Sequence, residues 1–60
     1  MKMQEIVQHA HALYRAHGDK AEAEAARKAS AEAEAGNPGE AEVWDKIRRH
    51  IKELRGPRAT

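Results

Sequence analysis

Apolar positions return along this chain with the period of a helix, in two strong blocks separated by a weak one. Met3, Ile6, Val7, Ala10, Leu13, Tyr14 and His17 recur at three- and four-residue steps, which places them on one face of a helix. Gln4, Gln8, Ala12 and Arg15 fall on the opposite side. Val43, Trp44, Ile47, Ile51 and Leu54 form a second stripe, with His50 at its edge. Between the two, Asp19 to Ala35 reads DKAEAEAARKASAEAEA, almost only alanine and charge. Its Ala/Glu alternation mimics a strand. Alanine, glutamate, lysine and arginine are strong helix formers, however, and alanine and glutamate are poor in sheets, so the stretch predicts a helix. Ala21, Ala25, Ala29 and Ala33 form an i, i+4 row along it, and Glu24 and Lys28 are spaced as an ion pair in the favourable order.

The punctuation agrees with this division. Gly18 is placed to end the first helix, because glycine takes a left-handed cap conformation without steric cost. Asp19 follows as a candidate cap, with Glu22 three residues on to complete a capping box. Gly36 ends the second helix. Asn37-Pro38-Gly39-Glu40 reads as a third start, with Asn37 at the cap and Pro38 in the first helical position. Gly56-Pro57 stops the last helix. The predicted fold is all-α: three short antiparallel helices, about 2–17, 19–35 and 38–55, in a small bundle with an Ala-rich middle helix. Residues 1–60 form a single helical domain, with 56–60 a frayed tail. Short connections force antiparallel neighbours. Because the middle helix offers only methyl groups, helices one and three are expected to share the core, with helix two packed alongside. Ile6, Val7, Leu13, Tyr14, Val43, Trp44, Ile47, Ile51 and Leu54 are the candidate core or interface residues.

Length sharpens the problem of closing that core. A chain of 60 residues buries only about 60% of the surface its unfolded form exposes. Mini-domains of this size often rely on disulfides, a metal or a partner. Cysteine is absent, so neither disulfides nor thiolate zinc sites are possible. A homodimer in which the two bulky stripes continue across an interface would close the core. No apolar run approaches the roughly 18 residues of a membrane span, and MKMQEIVQHA lacks the apolar core of a signal peptide. These features imply a cytoplasmic protein with no membrane partner. Phe is absent, and Tyr14 and Trp44 are the only aromatic residues.

Two resemblances follow from particular residues. Tyr14, Gly18-Asp19 and Ala23 have the spacing of the helix A end, turn and helix B start of a tetratricopeptide repeat, and Trp44 resembles the opening of another. Val7, Ala10-His11 and Arg27 stand where that repeat favours tryptophan, Leu-Gly and an aromatic residue, so the likeness is one of helical-hairpin geometry. The stretches ALYRAHGDKAEAEAARKA and EAEVWDKIRRHIKELRGP are similar to a group of short alphaproteobacterial helical proteins of unknown function. The resemblance implies a natural bacterial protein and carries over no catalytic residue.

Formal net charge is +1, but its distribution is uneven. The middle helix leans acidic through Asp19, Glu22, Glu24, Glu32 and Glu34. The end leans basic. Arg48, Arg49, Lys52 and Arg55 are candidate phosphate contacts, with Arg58 beyond them, although the acidic middle helix would repel phosphate. Lysine and arginine late in a helix also simply complement its dipole. Four histidines, His9, His11, His17 and His50, raise the question of metal. None of the four makes the H-x-x-x-H pair that a helical site needs, so no metal site and no cofactor is expected. The hydroxyl groups are those of Ser30, Tyr14 and Thr60. A bundle this small can hardly build a cleft and oxyanion hole around them, so no enzyme is expected. Gly36-Asn37-Pro38-Gly39 lacks the G-K-[ST] ending of a phosphate loop. The function these features favour is a small helical protein-interaction module, self-associating or binding another protein. The alternative is a nucleic-acid-binding accessory protein that uses the basic face of helix three.

Overall fold

The computed structural model describes residues 2–56 of the chain. The predicted tail lies outside the described residues beyond Gly56, as does Arg58. Three α-helices, α1 (Met3–His17), α2 (Ala21–Glu34) and α3 (Pro38–Leu54), form a helical bundle, and a 3₁₀ turn over Gly18–Lys20 joins the first two. No strand occurs among the described residues. No helix among them is long and apolar enough to cross a membrane.

The three expected helices are thus present, but not as three separate bodies. From Met3 to Glu34 every residue lies in α1, the 3₁₀ turn or α2, so this part is one long bent helix, and α3 is the other. The bend is made at Gly18, whose φ of 60° and ψ of −132° lie where an L side chain clashes with its own backbone. The Gly18 N–H still donates to the Tyr14 carbonyl, so α1 is closed off while helical winding resumes at once. Asp19 does not cap α2 as predicted: no side-chain cap bond is present at either end of the 3₁₀ turn. With the turn already bonding the backbone donors, the Asp19 carboxylate is left to reach Arg55.

The α2–α3 connection is a true stop. Gly36 has φ 84°, its N–H donates to the Ala33 carbonyl at 3.2 Å, and the Asn37 N–H donates to the Glu32 carbonyl at 2.8 Å. This pair of bonds is a Schellman motif, and it satisfies carbonyls that the helix end would otherwise leave open. Asn37 was predicted to cap α3 with its side chain. Its Nδ2 instead donates to Glu32 Oε1 at 2.9 Å, tying the turn to α2. Pro38 takes the first helical position as predicted.

The core overturns the expected division of labour. Its fully buried residues are Ile6 and Ala10 of α1, Ala21 and Ala25 of α2, and Ile47 and Ile51 of α3. The α2–α3 pair makes the most extensive contact, α1–α3 the next, and α1 touches α2 least. α3 is therefore the central helix, and the alanine-rich helix is its main partner. Alanine at positions 21 and 25 keeps bulk out of this contact, and the two isoleucines are wholly covered. Ala29 is half-buried and Ala33 exposed, so the alanine row leaves the core as α2 ascends. Leu13, Tyr14, Val43, Trp44 and Leu54 pack around the core partly buried, and Val7 is half-buried too.

One consequence is directly measurable. Ala25→Leu places a bulky side chain in a fully buried position of the core, and is expected to cost about 1–3 kcal/mol. Ala33→Leu on the exposed part of the same row is expected to change stability by about 0.5 kcal/mol or less. Urea melts of the two variants against the parent check the difference. Equal effects would contradict the close packing of α2 on α3.

Candidate interaction surface

The two flanks of α3 are finished in different ways. Toward α2 the finish is ionic. The Arg55 Nη1 donates to Glu22 Oε1 at 2.7 Å, Arg48 Nη1 lies 3.9 Å from the other Glu22 oxygen, and Arg55 Nε lies 3.9 Å from Asp19 Oδ1. The Glu22 side chain is only 23% exposed, so part of its water shell is replaced by guanidinium. On α3 itself, Arg48 Nη2 donates to Asp45 Oδ1 at 2.9 Å and Arg49 Nη2 sits 3.0 Å from the other oxygen. Three of the four candidate phosphate contacts, Arg48, Arg49 and Arg55, are thus held by carboxylates of the same chain, while Lys52 is exposed.

The Arg48 hydrogen bond, reinforced by the charges of Arg49 and Arg48, holds the Asp45 carboxyl below its ordinary value of 3.8 against the opposing effect of desolvation. Glu24 is likewise held below its ordinary 4.5, first by the Arg27 hydrogen bond and then by that residue's charge. Glu24 pairs with Arg27 at 2.6 Å and not with Lys28 as its spacing suggested. Lys28 is drawn elsewhere: its Nζ lies 5.8 Å from the centre of the Trp44 ring. His9 of α1 meets the same ring edge-on, with centroids 5.2 Å apart. Trp44 is therefore a half-buried wedge between α1 and α2, outside the innermost core. A shallow, open depression adjoins Arg27, Lys28 and Ala31.

Toward α1 the finish is apolar and incomplete. Val43, His50 and Leu54 recur at seven- and four-residue steps beside Ile47, and His50 Nε2 comes within 3.3 Å of Met3 Sδ. That contact fixes this side of α3 as the one facing α1. Met3 is 55% exposed, the one large apolar side chain among the described residues that lies mostly in solvent. Val7, one helical turn beyond it, is half-buried, as are Val43 and Leu54.

The histidines do not converge. His9 stands against Trp44, His50 against Met3, and His11 and His17 are exposed. No group of three His, Asp or Glu residues with metal-site geometry occurs among the described residues. Ser30 is exposed and Tyr14 half-buried, on different helices.

Three features escaped the sequence reasoning. The clasp at Glu22 was assigned to a cap, Lys28 to an intrahelical pair, and Met3–His50 was not foreseen. The clasp left a signal. In an antiparallel hairpin turning at Gly36-Asn37, residue 22 must come alongside the last turns of α3, where the arginines stand. The other two depend on how α1 lies against α3, which spacing within one helix does not encode.

Comparison with protein-family models, with curated proteins and with solved structures found no match to this chain. Neither the tetratricopeptide likeness nor the bacterial one therefore gains support.

Two predictions concern the ionic flank. Because the folded pKa of Asp45 is depressed, its contribution to stability is present above the ordinary value of 3.8 and is lost as pH falls through the lower folded value. Chemical melts should show stability declining with acid below about pH 4, and Asp45→Asn should flatten that decline. In a double-mutant cycle, Glu22→Gln and Arg55→Gln should couple by about 0.5–1 kcal/mol at low salt, and by less in 1 M NaCl. Additive effects at low salt would mean that the pair is not a stabilising contact.

Proposed function

We propose that this chain is a small helical protein-interaction module that self-associates through the flank where α1 meets α3. The observation that carries the reading is the contrast between the two sides of α3. Arginine–carboxylate pairs cover the α2 side. On the α1 side, Met3, Val7, Val43 and Leu54 retain exposed apolar surface, bordered on α3 by the more exposed pairs Lys46–Glu42 and His50–Glu53. A second copy supplies the complementary apolar surface by two-fold symmetry. A formal net charge of +1 gives two copies little reason to repel. A standard interface takes about 800 Å² from each partner, a modest share of the 4358 Å² that the chain exposes.

The nucleic-acid reading is the weaker one. Arg48, Arg49 and Arg55 would have to leave Glu22, Asp19 and Asp45 to meet phosphate. The dispersed hydroxyl groups and histidines give no support to catalysis.

Gel filtration with light scattering over a concentration series tests the proposal. The parent chain is expected to move from monomer to dimer as concentration rises. Val43→Lys is expected to remain monomeric with an unchanged helical circular dichroism spectrum. A parent chain that stays monomeric across the series would remove the self-association reading. Duplex DNA titrated at low salt checks the alternative, since phosphate binding would weaken steeply as salt rises.

A further inference from the structure

We propose that Met3 and His50 together bind a soft monovalent metal ion, Cu(I) or its analogue Ag(I). The two donors come from different helices, α1 and α3, and stand 3.3 Å apart as Sδ and Nε2. That separation lets one ion touch both after a small change of the Met3 torsions. The Met3 side chain is 55% exposed and flexible, so it is free to make the change. His50 is the fixed member, with a half-buried ring on the central helix.

The surroundings of His50 favour a ligand at Nε2. Glu53 Oε1 lies 3.8 Å from His50 Nδ1, on the ring edge away from the sulfur. A carboxylate hydrogen-bonded to the far nitrogen is the usual partner of a metal-bound imidazole, and the exposed Glu53 side chain needs only a small rotation to close that distance. With the proton on Nδ1, the Nε2 lone pair faces the thioether lone pairs, and a cation between them resolves that opposition. With the proton on Nε2, the contact is only a weak N–H···S bond, because a thioether is a poor acceptor.

The donor types choose the ion. Zinc takes four donors among thiolate, imidazole and carboxylate, and no group of three His, Asp or Glu residues gathers among the described residues. Thioether sulfur selects Cu(I) among biological metals. A closed-shell monovalent ion of this kind is satisfied by two or three donors. Both donors belong to one chain, so the site is complete in the monomer, and the titration is run at a concentration low enough that no second copy covers Met3.

Titration of the full chain with silver nitrate in chloride-free buffer, followed by calorimetry and NMR, tests it. The expected result is one ion per chain, with the Met3 methyl and His50 ring signals shifting together. Met3→Leu and His50→Gln should each weaken binding about tenfold or more, and His11→Gln should leave it unchanged. Met1 remains in every variant, so a loss in Met3→Leu assigns the sulfur to Met3. Circular dichroism confirms that each variant is folded. Affinity should fall in acid, since only the neutral imidazole is a ligand. Unchanged silver affinity in Met3→Leu, or shifts at His9, His11 or His17 in place of His50, would overturn the site and leave the weak N–H···S contact as the whole account.

Discussion

The structure depends on how closely α2 can lie against α3. Ile47 and Ile51 are wholly covered, and in α2 the residues buried with them are Ala21 and Ala25. A larger residue at either alanine would push the helices apart and open the isoleucines to water. An exchange of that kind is costly in a chain with so few buried side chains, because a domain of this length has little net stability to lose. Alanine thus contributes through what it leaves out. It removes bulk at the contact and, through its high helix propensity, helps to keep α2 wound where packing gives little. Ile6 and Ala10 then cover the remaining side of the pair, which explains why α1 leans on α3 and touches α2 little.

Close approach alone would not choose a register for α2, since one alanine resembles the next. The ends of the hairpin supply the choice. At one end, the Schellman bonds at Gly36 and Asn37 hold the turn, with Asn37 also bonded to Glu32. At the other, Glu22 sits between Arg48 and Arg55. Sliding α2 by one helical turn would keep methyl groups against the isoleucines but would separate these charges. Ion pairs of this exposure contribute little to total stability. Their effect here is to penalise the wrong alignment of an otherwise repetitive helix.

The helical class, the turn positions and the two apolar stripes are legible in the sequence because each follows from local chemistry: propensity, period and glycine or proline punctuation. Ile6, Ile47 and Ile51 were read as core residues for the same reason. What was not legible is where tertiary geometry overrides a local rule. Asp19 and Asn37 carry good capping chemistry, yet tertiary and cross-turn partners take their side chains: Asp19 reaches Arg55, and the Asn37 amide bonds Glu32. Trp44 was the most obvious core candidate by size. Its place between His9 and Lys28 leaves it only half-buried, while the smaller isoleucines pack against the alanines. The alanine helix itself was judged too poor in apolar bulk to enter the core. Small size was taken for weak burial, whereas in this fold it is the condition for burial.

The candidate surface was half legible for a related reason. The basic residues of α3 were visible as a group, but a stripe of charge has no function until the opposite face is known. Once the hairpin closes, Arg48 and Arg55 become internal to the chain's own electrostatics, and the outward chemistry moves to the other flank. There the side chains are apolar or soft: valine, leucine, a thioether and an imidazole. The division follows from the acids at the start of α2 and in the turn before it. Glu22 and Asp19 draw arginines of α3 toward that side. Nothing comparable was found on α1 to draw a charged cover over Val43 and Leu54. In the proposed self-association, a closing surface must match the chemistry of this half-buried flank. Apolar surface from a second copy suits the valines and Leu54, and a soft cation suits the one place where sulfur and nitrogen donors already meet.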